Sequence, residues 1–358
     1  MGENRHDGRP ALGALDELPA DYRAAMEAKN LVPLWPSMRG FLPHGTPRAQ
    51  ARPALWRYVD VRPLLLEAGE LTPIEKAERR VLVFANPGYG LDGLHCTSTI
   101  YVGMQLILPG EDAPSHRHTP SAVRLVVEGQ GGFTVVNGEK LPMERGDLIL
   151  TPAMQWHEHG HTGTVPVVWL DALDLPLLVA IEGSYALEGE PQAVRNSPEA
   201  SKTRYRRAGL VPYPSLSTRP GPYPLMRWPW EEVRAALEAL AIDTKSGTPV
   251  HLGYVNPETG EECLPTLGFS AIMLRPGEEV ALPHDSASGV FHVVEGTVQP
   301  EIAGESLPIA ENADVLAAPA HARVRLANGS GTKPAFLFQI DDAPLQRKIG
   351  IYERFAAA

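Results

Sequence analysis

Two histidines spaced i and i+2, in the run Ser115-His116-Arg117-His118, are the residues of this chain best suited to hold a metal ion. Side chains alternate along a β-strand, so this spacing puts both imidazoles on one face. A later run, Gly146-Asp147 followed by Pro152-Ala153-Met154-Gln155-Trp156-His157, brings a third imidazole from another strand. Three nitrogens on one side of an octahedral ion leave up to three positions open for substrate and oxygen, which is the arrangement of a reactive centre. The plain alternative is a set of polar histidines on a barrel rim.

The elements that must position these residues are strands. From Ser98 to about Leu170 short apolar runs are separated by Gly, Pro and Asn-Gly turns: Ile100 to Leu108, Val123 to Val127, Gly132 to Val136, Asp147 to Thr151 and Val165 to Trp169. Asn137-Gly138 between two such runs is a hairpin signal, and the spacing describes a sandwich or jelly-roll barrel. The texture returns from Leu267 to Leu274, Gly289 to Val294, Val315 to Ala318 and Ala335 to Ile340. Leu108-Pro109-Gly110 matches Leu274-Arg275-Pro276-Gly277, and Val126-Val127-Glu128-Gly129 matches Val293-Val294-Glu295-Gly296, which implies an internal duplication. Helical pieces are expected at Ala20 to Lys29, Trp56 to Leu71 and Pro73 to Arg80, the last running into the strand Val81-Leu82-Val83-Phe84. A proline-rich passage from Val211 to Pro229 leads to a helix with Pro229 in its first turn and Trp230, Val233, Leu237 and Leu240 on one stripe.

Composition narrows the function classes. The 358 residues exceed one typical core, and a net charge of -11 disfavours nucleic acid and anionic membrane as partners. No apolar run reaches the length of a membrane span, the N-terminal Met1 to Asp7 has no apolar signal core, and Cys96 and Cys263 lie far apart; a cytoplasmic protein is expected. An acidic substrate would then need a locally positive site.

From Gly110 the chain reads G-x5-H-x-H and from Gly146 G-x5-P-x-M-x2-H, which resemble the two motifs of the cupin superfamily. Ala122 stands where that pattern usually carries a glutamate ligand, and a methyl group cannot ligate. Three neutral imidazoles would leave the full charge on the ion, favouring an anionic, chelating substrate. Within the cupins the chain resembles the gentisate 1,2-dioxygenase family, which includes salicylate and 1-hydroxy-2-naphthoate dioxygenases. The residues that carry the resemblance are Ala113 to Thr119, Arg124, Val127-Glu128-Gly129, Thr151-Pro152 and Trp156 to Gly160, with Glu78 to Leu82 and Asn86-Pro87 upstream. It implies an all-β-dominated bicupin of two jelly-roll barrels with short N-terminal and linker helices. The expected division is an arm at 1–90, a catalytic barrel at 91–180, a connector and helix at 181–245 and a degenerate barrel at 246–358. It further implies one Fe(II) per chain, held in the first barrel by His116, His118 and His157. The partners would be O2 and a small aromatic acid cleaved between its carboxyl- and hydroxyl-bearing carbons. Gentisate would give maleylpyruvate; salicylate, 5-substituted salicylates and 1-hydroxy-2-naphthoate are the other substrates the family offers. Relatives with two cupin barrels are commonly homotetramers, and the N-terminal arm is a candidate contact.

Neighbouring residues take roles in that frame. Arg124 shares the parity of His116 and His118, so on an unbroken strand it faces inward and can pair with a substrate carboxylate; an internal salt bridge is the alternative. Arg80 is a second candidate for the carboxylate, with Arg79 beside it. His159, two residues past His157, can hydrogen-bond a substrate hydroxyl or accept its proton, or else only orient a neighbour. Tyr101, Gly103 and Gln105 share one face of their strand, Gly103 leaving room for a ring, and Leu82 is an apolar candidate nearby. Asp171, at a strand end, can hold an arginine or histidine or lie in solvent. In the second barrel, Pro283, Asp285 and Val324 fall opposite His116, His118 and His157, while His284, His292 and His321 have no motif spacing, so a structural or assembly role is expected there. Two alternatives stay open: a three-His oxygenase of another chelating substrate, such as a β-diketone or thiol, and a non-catalytic metal-binding bicupin.

Overall fold

The computed structural model describes residues 11–195, 199–217 and 223–356. These fall into two compact units, Met1–Ala49 and Gln50–Ala358. The first unit holds the helices Ala20–Glu27 and Met38–Phe41, neither of which buries a residue.

The larger unit contains four antiparallel sheets that form two barrels. In the first barrel a six-stranded sheet runs in the order Arg227–Trp228, Leu148–Thr151, Ala122–Glu128, Val167–Leu173, Tyr101–Ile107, Arg80–Val83. Facing it is a five-stranded sheet ordered Ala186–Glu188, Asp112–His118, His157–His161, Gly132–Val136, Glu139–Met143. The second barrel repeats the plan. Its six-stranded sheet is Ala54–Trp56, Val315–Ala318, Gly289–Glu295, Ala335–Asp341, Gly268–Leu274, Val250–Gly253, and its four-stranded sheet is Glu279–Ala281, Val324–Ala327, Gln299–Ile302, Glu305–Ser306.

The duplication extends to backbone irregularities. Val127 bulges out of the ladder between Ala122–Glu128 and Val167–Leu173, and Val294 does so at the matching place in the second barrel. The glycine two residues after each bulge, Gly129 or Gly296, has a positive φ. The Asn137-Gly138 hairpin is present with both residues at positive φ. Its counterpart, Ala303-Gly304, has the same backbone signs without an Asn-Gly signal in the sequence.

The segments expected outside the barrels differ most from expectation. Residues 54–56 are a strand on the edge of the second barrel's sheet, and the helix begins after them, Tyr58–Leu71. Helix between Pro73 and Arg80 is confined to Ile74–Ala77, and Arg80 already belongs to the next strand. The proline-rich passage, of which 218–222 lie outside the described residues, adds the strand Arg227–Trp228 to the first barrel. The helix after it, Trp230–Asp243, starts behind Pro229, which caps it instead of sitting in its first turn, and the Asp147 carboxylate accepts from Trp230 N–H at 2.9 Å. Trp230 and Leu237 are buried, as the stripe requires.

One apolar cluster joins Met104, Leu106, Leu125 and Leu170 of the first barrel to Phe269, Phe336 and Phe338 of the second. A separate cluster around Ile272, Phe291, Leu316, Val324 and Leu337 fills the second barrel's interior. No helix among the described residues is long and apolar enough to cross a membrane.

Candidate metal centre and substrate site

His116 and His118 lie on Asp112–His118, and His157 opens His157–His161. These two strands are neighbours. A one-residue irregularity between Ala113 and His116 sets His116 directly opposite His157. One potential ligand atom from each imidazole can be chosen so that all lie within 4.8 Å of one another, the only such His/Cys/Asp/Glu group of three or more among the described residues. It contains no carboxylate, and Ala122 is a buried methyl at the start of its strand.

The donor set fits a divalent transition metal. Each ring makes a Nδ1 hydrogen bond to a backbone carbonyl two residues away: His116 to Pro114 at 3.0 Å, His118 to Pro120 at 2.7 Å, His157 to Gln155 at 2.9 Å. A carbonyl only accepts, so Nδ1 carries the proton and Nε2 keeps its lone pair for an ion. Burial keeps the rings neutral. It pushes His116 down to about 3, with the Arg79 charge adding to the effect. His118 is lowered and His157 lies well below its ordinary value, again chiefly through burial.

The large sheet supplies the rest of the site. Directly paired residues share a face, and the register gives the row Val83, Gly103, Asp171, Arg124. The next row is Val81, Gln105, Trp169, Val126. Arg124 lies on a different strand and in a different sheet from His116 and His118, so the unbroken strand behind the parity argument does not exist. It still meets the histidine sheet, because its Nη1 donates to His159 Nδ1 at 3.3 Å and to Thr134 Oγ1 at 3.5 Å. Asp171 is buried in mid-strand and accepts from Arg124 Nε at 2.9 Å. The salt bridge raised above as an alternative is therefore present, and it also aims the guanidinium.

His159 accepts from Arg124 through Nδ1, and a guanidinium can only donate, so the ring proton sits on Nε2. Its imidazole is buried, held well below the usual pKa by desolvation and then by the Arg124 charge. In this state Nε2 is a donor.

Tyr101 folds back over Gly103. A Cβ at position 103 would stand 2.6 Å from the Tyr101 hydroxyl and 2.5 Å from Val81 Cγ1, so the room this glycine leaves is taken by the chain's own ring. Arg80 and Leu82 are not brought to the site. They pair with Leu106 and Met104 and so point to the opposite face of the sheet. There Arg80 bonds Gly69 O and Glu111, and Leu82 packs against the core. Of the two neighbouring arginines it is Arg79, not Arg80, whose charge acts together with that of Arg124 on His116, His118 and His159.

Trp169 and Thr134 were not among the residues singled out from the sequence. Trp169 donates from its indole to Asp171 Oδ2 at 2.8 Å, and its position two residues before Asp171 on one strand was the available signal. His161 bonds Val165 O and Gly163 N, a turn-closing role. In the second barrel Leu282 N–H bonds Val324 O, so Leu282, and not Pro283 as the spacing suggested, is the apolar counterpart of His116; the ladder there lacks the one-residue irregularity found between Ala113 and His116.

Comparisons with known proteins agree with this geometry. A cupin domain model matches residues 103–173. A gentisate 1,2-dioxygenase from Ralstonia sp is 53% identical over 96% of this chain and 96% of its own length. A 5-aminosalicylate 1,2-dioxygenase from Comamonas sp is 38% identical over 97% of this chain and 93% of its own. Among solved structures, a salicylate 1,2-dioxygenase from Pseudoaminobacter salicylatoxidans with gentisate superposes with a TM-score of 0.86 at 30% identity, covering 94% of each chain. A three-imidazole centre in the first of two cupin barrels, beside a buried arginine, and these full-length likenesses lead to one conclusion: the chain belongs to the gentisate 1,2-dioxygenase family of ring-cleaving dioxygenases.

Proposed function

We propose that this chain is an iron(II)-dependent gentisate 1,2-dioxygenase. It opens the ring between the carboxyl- and hydroxyl-bearing carbons, puts both atoms of O2 into the product and yields maleylpyruvate. The observation that carries the reading is the meeting of three Nδ1-anchored imidazoles with the Arg124 and His159 pair across the barrel. Nε2 of His116, His118 and His157 would hold the metal. Bound there, iron(II) supplies a site for the substrate's carboxylate and hydroxyl oxygens and the redox chemistry with dioxygen.

The chain's own groups do the positioning. Three neutral ligands cancel none of the metal's charge, so the site favours an anionic substrate. Arg124 adds a fixed positive charge: of the five donor hydrogens of a guanidinium, Asp171, His159 and Thr134 take three, leaving two for a carboxylate. Arg79, not Arg80, is the second arginine we assign to the substrate side. The Nε2–H of His159 donates to a substrate oxygen and stabilises it as negative charge collects there, a role that replaces proton acceptance. Tyr101 and Gln105 complete the wall, with Gly103 seating the Tyr101 ring.

We further propose a cytoplasmic homotetramer, a reading supported by the family resemblance and by large apolar side chains left at the surface, such as Val179, Ile181 and Tyr185. Light scattering after size exclusion checks the assembly. The reaction is tested by iron reconstitution under nitrogen, followed by oxygen uptake with gentisate, salicylate, 5-aminosalicylate and 1-hydroxy-2-naphthoate. Gentisate should give the highest kcat/KM; iron bound without uptake on any of the four would remove the assignment.

A further inference from the structure

Trp169 has none of its surface exposed, yet its indole meets three polar groups of the candidate site, Asp171, Arg124 and His159. Its indole N–H donates to Asp171 Oδ2 at 2.8 Å, while Oδ1 of the same carboxylate accepts from Arg124 Nε at 2.9 Å. The Arg124 guanidinium carbon lies 5.3 Å from the centroid of the indole, and the His159 ring centroid is 5.7 Å from it. The Val127 bulge falls at this point of the ladder and sets Trp169 opposite Val126.

We propose that Trp169 is a positioning residue for ring cleavage: its indole N–H fixes the rotation of Asp171, which aims Arg124, which in turn orients His159 toward the substrate. The inference rests on the reading of the site as a gentisate dioxygenase. A carboxylate held by one donor can turn about its side-chain bonds; held by donors on both oxygens it cannot. Without the indole N–H, Oδ2 of a buried aspartate would lose its partner, and Asp171 would turn to recover one at the expense of Arg124. The guanidinium carbon also lies over the indole, a cation–π contact that adds to its placement.

The second barrel serves as an internal comparison. By strand register Leu337, Gln339, Phe291, Leu326 and Pro300 occupy the places of Trp169, Asp171, Arg124, His159 and Thr134. The barrel without the three histidines has lost the whole relay, the tryptophan included. A leucine fills the same interior position once there is no carboxylate to hold.

The test is Trp169→Phe, which keeps an aromatic ring in the core and removes the donor. Its partner is the replacement of Trp169 by benzothienylalanine, in which sulfur stands for the N–H at nearly unchanged shape. Iron-reconstituted enzyme should keep wild-type iron content in both, while gentisate affinity measured under nitrogen falls about ten- to a hundred-fold, the loss expected for an unpartnered buried acceptor. In an Arg124→Ala background the same replacements should change affinity by less than about twofold, because there is no guanidinium left to aim. Wild-type affinity in the benzothienylalanine protein, or an equal loss in both backgrounds, would overturn the proposal. If the unsubstituted chain itself binds iron but not gentisate, the functional reading fails first and this inference with it.

Discussion

At the scale of single residues, each candidate ligand is anchored by its own Nδ1 hydrogen bond to a nearby carbonyl, so an imidazole can be removed without opening the core. His118 is only partly buried. His118→Ala should therefore lose bound iron and turnover while its thermal unfolding stays close to wild type, checked by metal analysis beside calorimetry. Arg124→Ala should keep iron and weaken gentisate affinity about ten- to a hundred-fold, the range for a charged hydrogen-bond donor. His159→Gln should lower kcat more than iron content, since an amide donates more weakly than the imidazole it replaces; unchanged kcat at saturating gentisate would confine His159 to scaffolding. The histidine triad was legible in the sequence because its spacing is local and period two turns it into geometry. The proton on His159 was not, because it depends on a partner from another sheet, Arg124.

At the scale of elements, strand register decides which residues face the site. The run Val81 to Phe84 reads as a strand in the sequence, but its face depends on which residue of Tyr101–Ile107 it meets, and no local pattern states that. Pairing of Val81 with Gln105 turns Val81 and Val83 toward the site and Arg80 and Leu82 away from it. Gly103 was legible as a missing side chain, whereas its occupant Tyr101 follows only from the fold. Gly103→Ala should displace the Tyr101 ring and alter the relative kcat/KM for gentisate and salicylate, with iron content retained. Gly129 shows the cost of a bulge: its φ is +99° and a Cβ would stand 2.3 Å from Pro166 O. Gly129→Ala should destabilise the protein by roughly 2 kcal/mol or more, read as a shift in denaturant midpoint.

At the scale of the whole molecule, the duplication was legible from two short matching strings, and the exchanged edge strands were not. Ala54–Trp56 reads as the lead into a helix and Arg227–Trp228 as part of a proline-rich connector, since each is too short to show alternation. Two histidines away from the site, His292 buried and His251 half-buried, contribute an acid-sensitive part of the fold's stability. Burial, then the Arg145 charge, pushes His292 down to about 3, and burial pushes His251 to about 4. The unfolded chain takes up these protons near the ordinary value of about 6.5, so protons favour the unfolded state and this contribution to stability is lost as pH falls below that value. Nδ1 of His292 has no hydrogen-bond partner. His292→Leu should thus gain in melting temperature relative to wild type as the pH is lowered from about 7 to about 5, and a constant difference would show that His292 does not titrate on unfolding. The central claim joins the three-histidine centre to ring cleavage, and its most direct measurement is oxygen uptake by the iron(II)-reconstituted chain with gentisate, followed together with the ultraviolet spectrum. The account predicts one O2 consumed per gentisate and a new absorbance from the ring-opened product, both absent in His118→Ala. Uptake that persists in iron-free His118→Ala, or bound iron with gentisate left intact, would contradict it.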